Sequence, residues 1–347
     1  MPEQYFQLSA GDRKELLELG ASRSGRPPHL LEKDVWVVWL LSVLFESPLG
    51  PELTFKGGTS LSKAYQVIDR FSEDIDITRD VRRILPDIAG DDILPATKSQ
   101  AKKWTEAVRE RLPAWIRENV LSVLEDAIRQ EGVGATLEIP ADARDKLVLR
   151  YEPTTTGTGY VKPEVVLEFG ARATGEPNEV RSVRCDLADQ FKEIEFPCAN
   201  PKVLSIARTY WEKATATHVY CLQGKVRGDR YSRHWHDLAA IMKTKHFADA
   251  ISDRTVAASV AAHKSMFFVE KARGGTVIDY HRAVSGNLRL VPQGAARAAL
   301  RDDYAKMIED GVLLTDAIEF DELMGRCSEV EARTNAAFLT GTPINSA

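Results

Sequence analysis

The chain has 347 residues, 44% of them apolar and 28% charged, and a formal net charge of −5. That length suits about two domains, and the composition is that of a folded globular protein, neither disordered nor fibrous. A chain of net negative charge is no polycation, so contact with nucleic acid would have to rest on a local basic patch.

The first residues, Met1 to Gln7, have no basic stretch followed by an apolar one, so no signal peptide is expected. Ser9, with Asp12 three residues on, reads as a capping box opening a helix to about Leu19. After a break over Arg23 to Pro28, Pro28 suits the first turn of a second helix reaching about Phe45. Leu31, Val35, Trp36, Val38, Trp39 and Leu41 go nearly all round it, the mark of a buried helix. Lys33 and Asp34 in its first half read as a solvated turn. The longest apolar run, Val35 to Leu41, is far too short to span a bilayer. Four widely spaced cysteines, Cys185, Cys198, Cys221 and Cys327, read as free thiols. A cytoplasmic protein is the expectation.

Leu53 to Phe55 is strand-like, Gly57-Gly58 a turn, and Thr59 to about Ile68 a helix with Leu61, Ala64, Tyr65 and Ile68 at helical spacing. Phe71 to Thr78 is the next strand. The connection is short, so the two strands should be neighbours. Asp80 to Thr97 reads as loop, and Lys98 to about Gln130 as helix broken or kinked at Pro113. Ala135–Ile139, Lys146–Tyr151, Glu164–Phe169 and Val180–Leu187 read as strands. The Pro-bounded break from Pro197 to Pro201 is the expected domain boundary. Beyond it the pattern is helical, over about 202–222, 233–243, 247–262, 294–311 and 315–333.

Two signals lie at the ends of the strand–turn–helix–strand unit. A glycine turn at a helix start offers free N–H groups to phosphate. Asp74-Ile75-Asp76-Ile77 puts two carboxylates on one face of a strand and two isoleucines on the other. Carboxylate oxygens on one face suit a hard cation such as Mg²⁺ or Mn²⁺. A third acid on a neighbouring strand would complete such a site. Glu168, in the apolar run Val165–Phe169, is the first candidate and Asp186 its competitor. A lone acid in an apolar strand is costly to bury unless paired or metal-bound.

This combination resembles the nucleotidyltransferase fold of DNA polymerase β and its relatives. More closely, the chain is similar to the AbiEii/AbiGii family of toxin nucleotidyltransferases, MenT-like members included. The resemblance is carried, in order, by Glu32-Lys33-Asp34, Phe55-Lys56-Gly57-Gly58-Thr59, Arg70-Phe71-Ser72-Glu73-Asp74-Ile75-Asp76, Leu167-Glu168-Phe169-Gly170-Ala171-Arg172, Trp211-Glu212-Lys213-Ala214 and Arg233-His234-Trp235-His236-Asp237-Leu238. It implies an α+β protein of two lobes: residues 1–200 a nucleotidyltransferase domain with a mixed sheet and N-terminal helices, residues 201–347 a helical domain closing the cleft. It also implies transfer of a nucleotide from an NTP to an acceptor, favouring RNA and the tRNA 3′ end. An antitoxin encoded alongside, commonly a winged-helix DNA-binding protein, is the implied partner.

On that reading Asp74, Asp76 and Glu168 hold Mg²⁺ (or Mn²⁺), and Glu168 is also the candidate general base. Gly57, Gly58 and the Thr59 and Ser60 hydroxyls cradle the β- and γ-phosphates, with Lys56 or Lys63 neutralising their charge. Lys213 either faces the nucleotide or pairs with Glu212 or a helix neighbour. Asp237 either pairs with Arg233 one turn earlier or belongs to the active site, contacting ribose or base or orienting Lys213. His234 and His236 point to opposed sides of a helix, which disfavours a zinc site. Residues 202–243 hold eight Lys/Arg against three acids, a local +5, with Lys225, Arg227, Arg230 and Arg233 the candidate RNA contacts; a solvated surface is the alternative. Phosphate on Ser72, two residues before Asp74, would add negative charge beside the carboxylates and compete with triphosphate. Two other functions stay open: modification of a protein or small molecule, and a non-catalytic NTP-binding module.

Overall fold

The computed structural model describes residues 2–72, 74–157, 161–225, 230–309, 312–313 and 317–339. Its contacts divide the chain into two units, one of residues 1–65, 71–94 and 102–204, the other of residues 66–70, 95–101 and 205–347.

The first unit opens with β1 (Glu3–Gln4) and α1 (Ala10–Ser24). Ser9 caps α1, its hydroxyl accepting the Asp12 N–H at 3.1 Å. Gly25 ends α1 in the left-handed conformation, the usual glycine stop. α2 (Pro28–Glu46) starts on its proline and is buried along most of its length. Trp36 stacks on Tyr151, and the Trp39 indole donates to Glu131 at 2.7 Å. Then come β2 (Leu53–Lys56), α3 (Gly57–Lys63), β3 (Asp74–Arg79) and α4 (Val81–Ile84), the last within the segment expected to be loop.

α5 (Lys98–Trp115) runs through Pro113 without breaking. A proline supplies no N–H to the ladder. The helix continues as a wide π-type turn over Ile116–Val120 and then as α6 (Leu121–Glu131).

Eight short strands complete the sheets: β4 (Ala135–Glu138), β5 (Lys146–Tyr151), β6 (Glu164–Gly170), β7 (Asn178–Val180), β8 (Val183–Arg184), β9 (Ile194–Glu195), β10 (Cys198–Ala199) and β11 (Lys202–Leu204). The main sheet is seven-stranded and mixed, in the order β4-β5-β6-β3-β2-β11-β7. β3 lies parallel to β6 and antiparallel to β2, so the two strands joined through α3 are indeed neighbours. β11 pairs parallel with β2. The sheet therefore continues past the Pro197–Pro201 break, because Lys202–Leu204 fills the position between β2 and β7.

In the second unit Ser205 caps α7 (Ile206–Gln223), followed by α8 (Arg233–Met242), α9 (His246–Ser252), α10 (Arg254–Phe267), α11 (Tyr280–Ala283), α12 (Gly294–Glu309) and α13 (Phe320–Leu339). The helix expected over 247–262 is two helices, because the Asp253 carboxylate caps α10 by accepting the Val256 N–H at 2.9 Å. Buried Trp211 and Trp235 each donate their indole N–H to a carbonyl, of Ala250 and Leu290, as buried tryptophans must. No described helix is long and apolar enough to cross a membrane.

Candidate active site

The alternation along β3 is as its sequence dictates: Ile75 and Ile77 are fully buried, while Asp74 and Asp76 sit half-buried on the other face. The pairing then extends this face sideways. Lys56 of β2 stands beside Asp76, Asp76 beside Glu168 of β6, and Glu168 beside Lys146 of β5. Residues at one level of adjoining strands share a face and lie within about 5 Å at Cβ. The result is a row across four strands, Lys56–Asp76–Glu168–Lys146, with Asp74 two residues along β3.

The Lys146 ammonium donates to Glu168. Burial alone would lower the Lys146 pKa, but Glu168, and more distantly Asp74, raise it on balance. Glu168 is therefore no lone buried acid. Val165, Leu167 and Phe169 are buried and Glu168 lies on the half-exposed face, its side chain 38% exposed. Among the described residues no three His, Cys, Asp or Glu side chains are gathered so as to hold a metal ion. Asp76 and Glu168 are register neighbours on this face, with Asp74 two residues along β3. Lys146 went unnoticed because its partner is set by strand register across a long, Thr/Gly-rich connection.

Gly57 has a specific local task. Its φ is +81°, and a Cβ there would lie 1.9 Å from Asp76 Oδ2. Only glycine lets the chain turn this way while the Asp76 carboxylate lies against the turn. The two hydroxyls read as phosphate contacts are turned inward. Thr59 and Ser60 are buried, Thr59 donating to the Asp74 carbonyl and Ser60 to the Gly57 carbonyl at 2.9 Å. They brace the turn against β3. Lys56, Gly57 and Gly58 remain half-exposed.

Lys63 is also taken inward. Its ammonium lies 2.6 Å from Asp34 and also holds Asp186, which Arg26 contacts at 3.1 Å. Burial would lower the Lys63 pKa; the two carboxylates reverse that and raise it. Burial and the Asp186 charge push Asp34 up to about 6, against the pull of Lys63. So Lys63 does not face a phosphate, and Asp186 serves this cluster and not the row on β3 and β6. The first half of α2 is likewise no solvated turn. Glu32, Lys33 and Asp34 are all buried. Glu32 accepts the N–H and hydroxyl of both Thr154 and Thr155, Lys33 donates to the Lys162 carbonyl at 3.4 Å, and Asp34 accepts the Asp186 N–H at 2.7 Å. Buried charges require such partners.

In the second unit a separate cluster forms around Asp237, which is 0% exposed. Arg70 grips it through Nε and Nη2, at 2.6 and 2.9 Å, and Lys213 Nζ lies 2.8 Å away. Burial would raise the Asp237 pKa, but Arg70 and Lys213 hold it well below the carboxylate range. Asp237 pairs with Arg70, not with Arg233, and Lys213 pairs with Asp237, not with Glu212. Asp237 thus fixes where the Lys213 ammonium lies. Nothing local in the Arg70–Asp76 motif points to this partner, which lies 167 residues away along the chain.

The basic stretch is thinner than its count. Arg208 and Lys213 are buried in ion pairs with Glu212 and Asp237. Lys225 is exposed; Arg230 and Arg233 are half-buried; Arg227 lies outside the described residues. The Arg230 N–H donates to Asp303. His218 accepts the Arg289 N–H at Nδ1, an internal contact. Ser72 is half-buried in the irregular segment before β3.

A mixed sheet that sets paired acids beside a glycine turn marks the class of the nucleotidyltransferases. The chain belongs to one family within it: the family described as "Nucleotidyl transferase AbiEii toxin, Type IV TA system" matches residues 39–326. Among solved structures, the nucleotidyltransferase toxin MenT4 from Mycobacterium tuberculosis is 18% identical, over 95% of this chain and 99% of that one, with a TM-score of 0.43. JHP933 from Helicobacter pylori is 14% identical, over 88% and 90%, with a TM-score of 0.39. No curated protein sequence matches the chain.

Proposed function

We propose that this nucleotidyltransferase transfers a nucleotide from an NTP to an RNA acceptor, the tRNA 3′ end being the favoured one, and that it needs a divalent cation. The observation that carries the reading is the half-buried face of β3, shared by Asp74 and Asp76, with the Asp76 carboxylate against the Gly57 turn. Two carboxylates so placed suit one hard cation, Mg²⁺ or Mn²⁺. When bound, such an ion supplies a Lewis acid at the triphosphate oxygens. The chain's own residues do the rest. Asp74 and Asp76 would hold that ion, Lys56 would neutralise phosphate charge from the next strand, and the half-exposed Gly57–Gly58 backbone lies alongside. In the second unit Asp237 holds Lys213, and Lys225, Arg230 and Arg233 are candidate contacts to RNA. As a type IV toxin family member the chain is matched with a cognate antitoxin.

The test is one incubation series: each α-labelled NTP with Mg²⁺ and either total RNA or total protein. Label on RNA that is lost in Asp74→Asn and in Asp76→Asn, both still folded, supports the reading. Label on protein alone would move the function to protein modification, and no label on either acceptor with any NTP would sink transferase activity.

A further inference from the structure

The Lys56–Asp76–Glu168–Lys146 row has a charge balance that bears on how many cations the site takes. Asp74, Asp76 and Glu168 bring three negative charges to one face of the sheet. Lys56 and Lys146, at the two ends of the row, bring two positive charges, so the residues alone leave one negative charge over, and the ammonium of Lys146 bears directly on Glu168. It donates to that carboxylate, and both side chains are part-exposed, 37% for Lys146 and 38% for Glu168. A cation ligated by that carboxylate would have to displace Lys146 or sit against its charge, and like charges at contact repel strongly in a partly desolvated site.

We propose that Lys146 takes the place of a second divalent cation: the site binds one, on Asp74 and Asp76, and Lys146 keeps Glu168 out of its ligand set while presenting a fixed positive charge beside it. This rests on the metal reading of Asp74 and Asp76. Lys146 is a positioning residue, acting through Glu168. The ladder sets the Lys146 backbone opposite Glu168, and the ion pair between them places its ammonium before any substrate arrives. Sites that use two metals clamp both the attacking and the leaving oxygen; here one of the two positive charges belongs to the chain.

The test counts Mn²⁺ bound to the full chain by electron paramagnetic resonance titration, with circular dichroism to confirm folding. Wild type should bind one Mn²⁺, Lys146→Met two, and the double variant Lys146→Met/Glu168→Gln one again. Lys146→Arg, which keeps the charge, should bind one. Crystals soaked in Mn²⁺ and inorganic tripolyphosphate would give the same counts as anomalous peaks. Two ions in the wild type, or one in a folded Lys146→Met, overturns the proposal. Loss of all binding in wild type would overturn the metal reading first, a different result from a wrong count.

Discussion

Arg70 closes on Asp237 with two hydrogen bonds, and neither residue is more than 2% exposed. Lys213 shares the same carboxylate. One buried anion thus serves two buried cations. Removing it takes that carboxylate from both cations, whereas removing Arg70 leaves Lys213 to neutralise Asp237. Breaking a buried pair from one side costs about 3–5 kcal/mol. Asp237→Ala should therefore destabilise the protein by that amount and by more than Arg70→Ala, read from urea denaturation midpoints. Equal losses would contradict the shared-anion arrangement.

Gly57 and Gly25 both adopt positive φ, +81° and +74°, but differ in surroundings. Nothing lies within 4 Å of a Cβ built on Gly25, while on Gly57 it would meet the Asp76 carboxylate. Gly25→Ala should cost only the backbone strain, about 1 kcal/mol. Gly57→Ala must add a displaced carboxylate, for about 2 kcal/mol or more, and it moves a proposed cation ligand. The check is a pair of melting curves with Mn²⁺ affinity measured alongside: only Gly57→Ala should weaken binding.

How much of this was legible beforehand depends on the range of the interaction. The Ser9 cap, the Pro28 start and the Asp74/Asp76 face are local, set by residues within a turn or a strand, and each is found as the sequence implies. Lys146, Arg70 and Lys63 owe their partners to pairings between distant segments. Lys146 meets Glu168 through an antiparallel register, which a long connection leaves undetermined in sequence. The sequence places Lys63 near the glycine turn and its phosphate, but it is the last residue of α3, and burial beside Asp34 and Asp186 takes its charge. The clue missed was Asp34 itself: a charged residue in a helix that is apolar all round needs a buried partner. Glu168 looks like an acid buried alone in the apolar run Val165–Phe169, whereas β6 alternates regularly and puts it on the half-exposed face.

Lys56 and Lys63 can be separated by experiment. Lys63→Met leaves Asp34 and Asp186 facing one another with Arg26 as their remaining neighbouring cation, so stability should fall by about 3–5 kcal/mol. Lys56 is half-exposed, and Lys56→Met should leave the unfolding midpoint within about 0.5 kcal/mol of wild type while raising KM for NTP. Urea denaturation and initial-rate kinetics on the two variants decide it. A stable Lys63→Met with raised KM would return Lys63 to the phosphates.

Acid should destabilise the second unit through its buried histidines. Burial, with Arg289 adding to it, lowers the His218 pKa from 6.5 to about 4. Nδ1 must stay unprotonated to accept the Arg289 N–H. The folded value lies below the unfolded one, so His218 contributes its full stability above about pH 6.5 and loses it progressively as the pH falls towards 4. The loss is about 3 kcal/mol for a shift of this size. His234, lowered by burial and the charges of Lys213 and Arg233, acts in the same direction. Asp34 in the first unit opposes them: its pKa is raised to about 6, so between about pH 6 and 4 the folded state takes up a proton and gains stability as the pH falls. Calorimetry between pH 7 and 5 should show a falling Tm in wild type and a shallower fall in His218→Gln, which keeps an acceptor but cannot titrate. In Asp34→Asn the fall should be steeper, because the opposing carboxylate is gone. Parallel slopes in all three would show that neither group titrates across the folding transition.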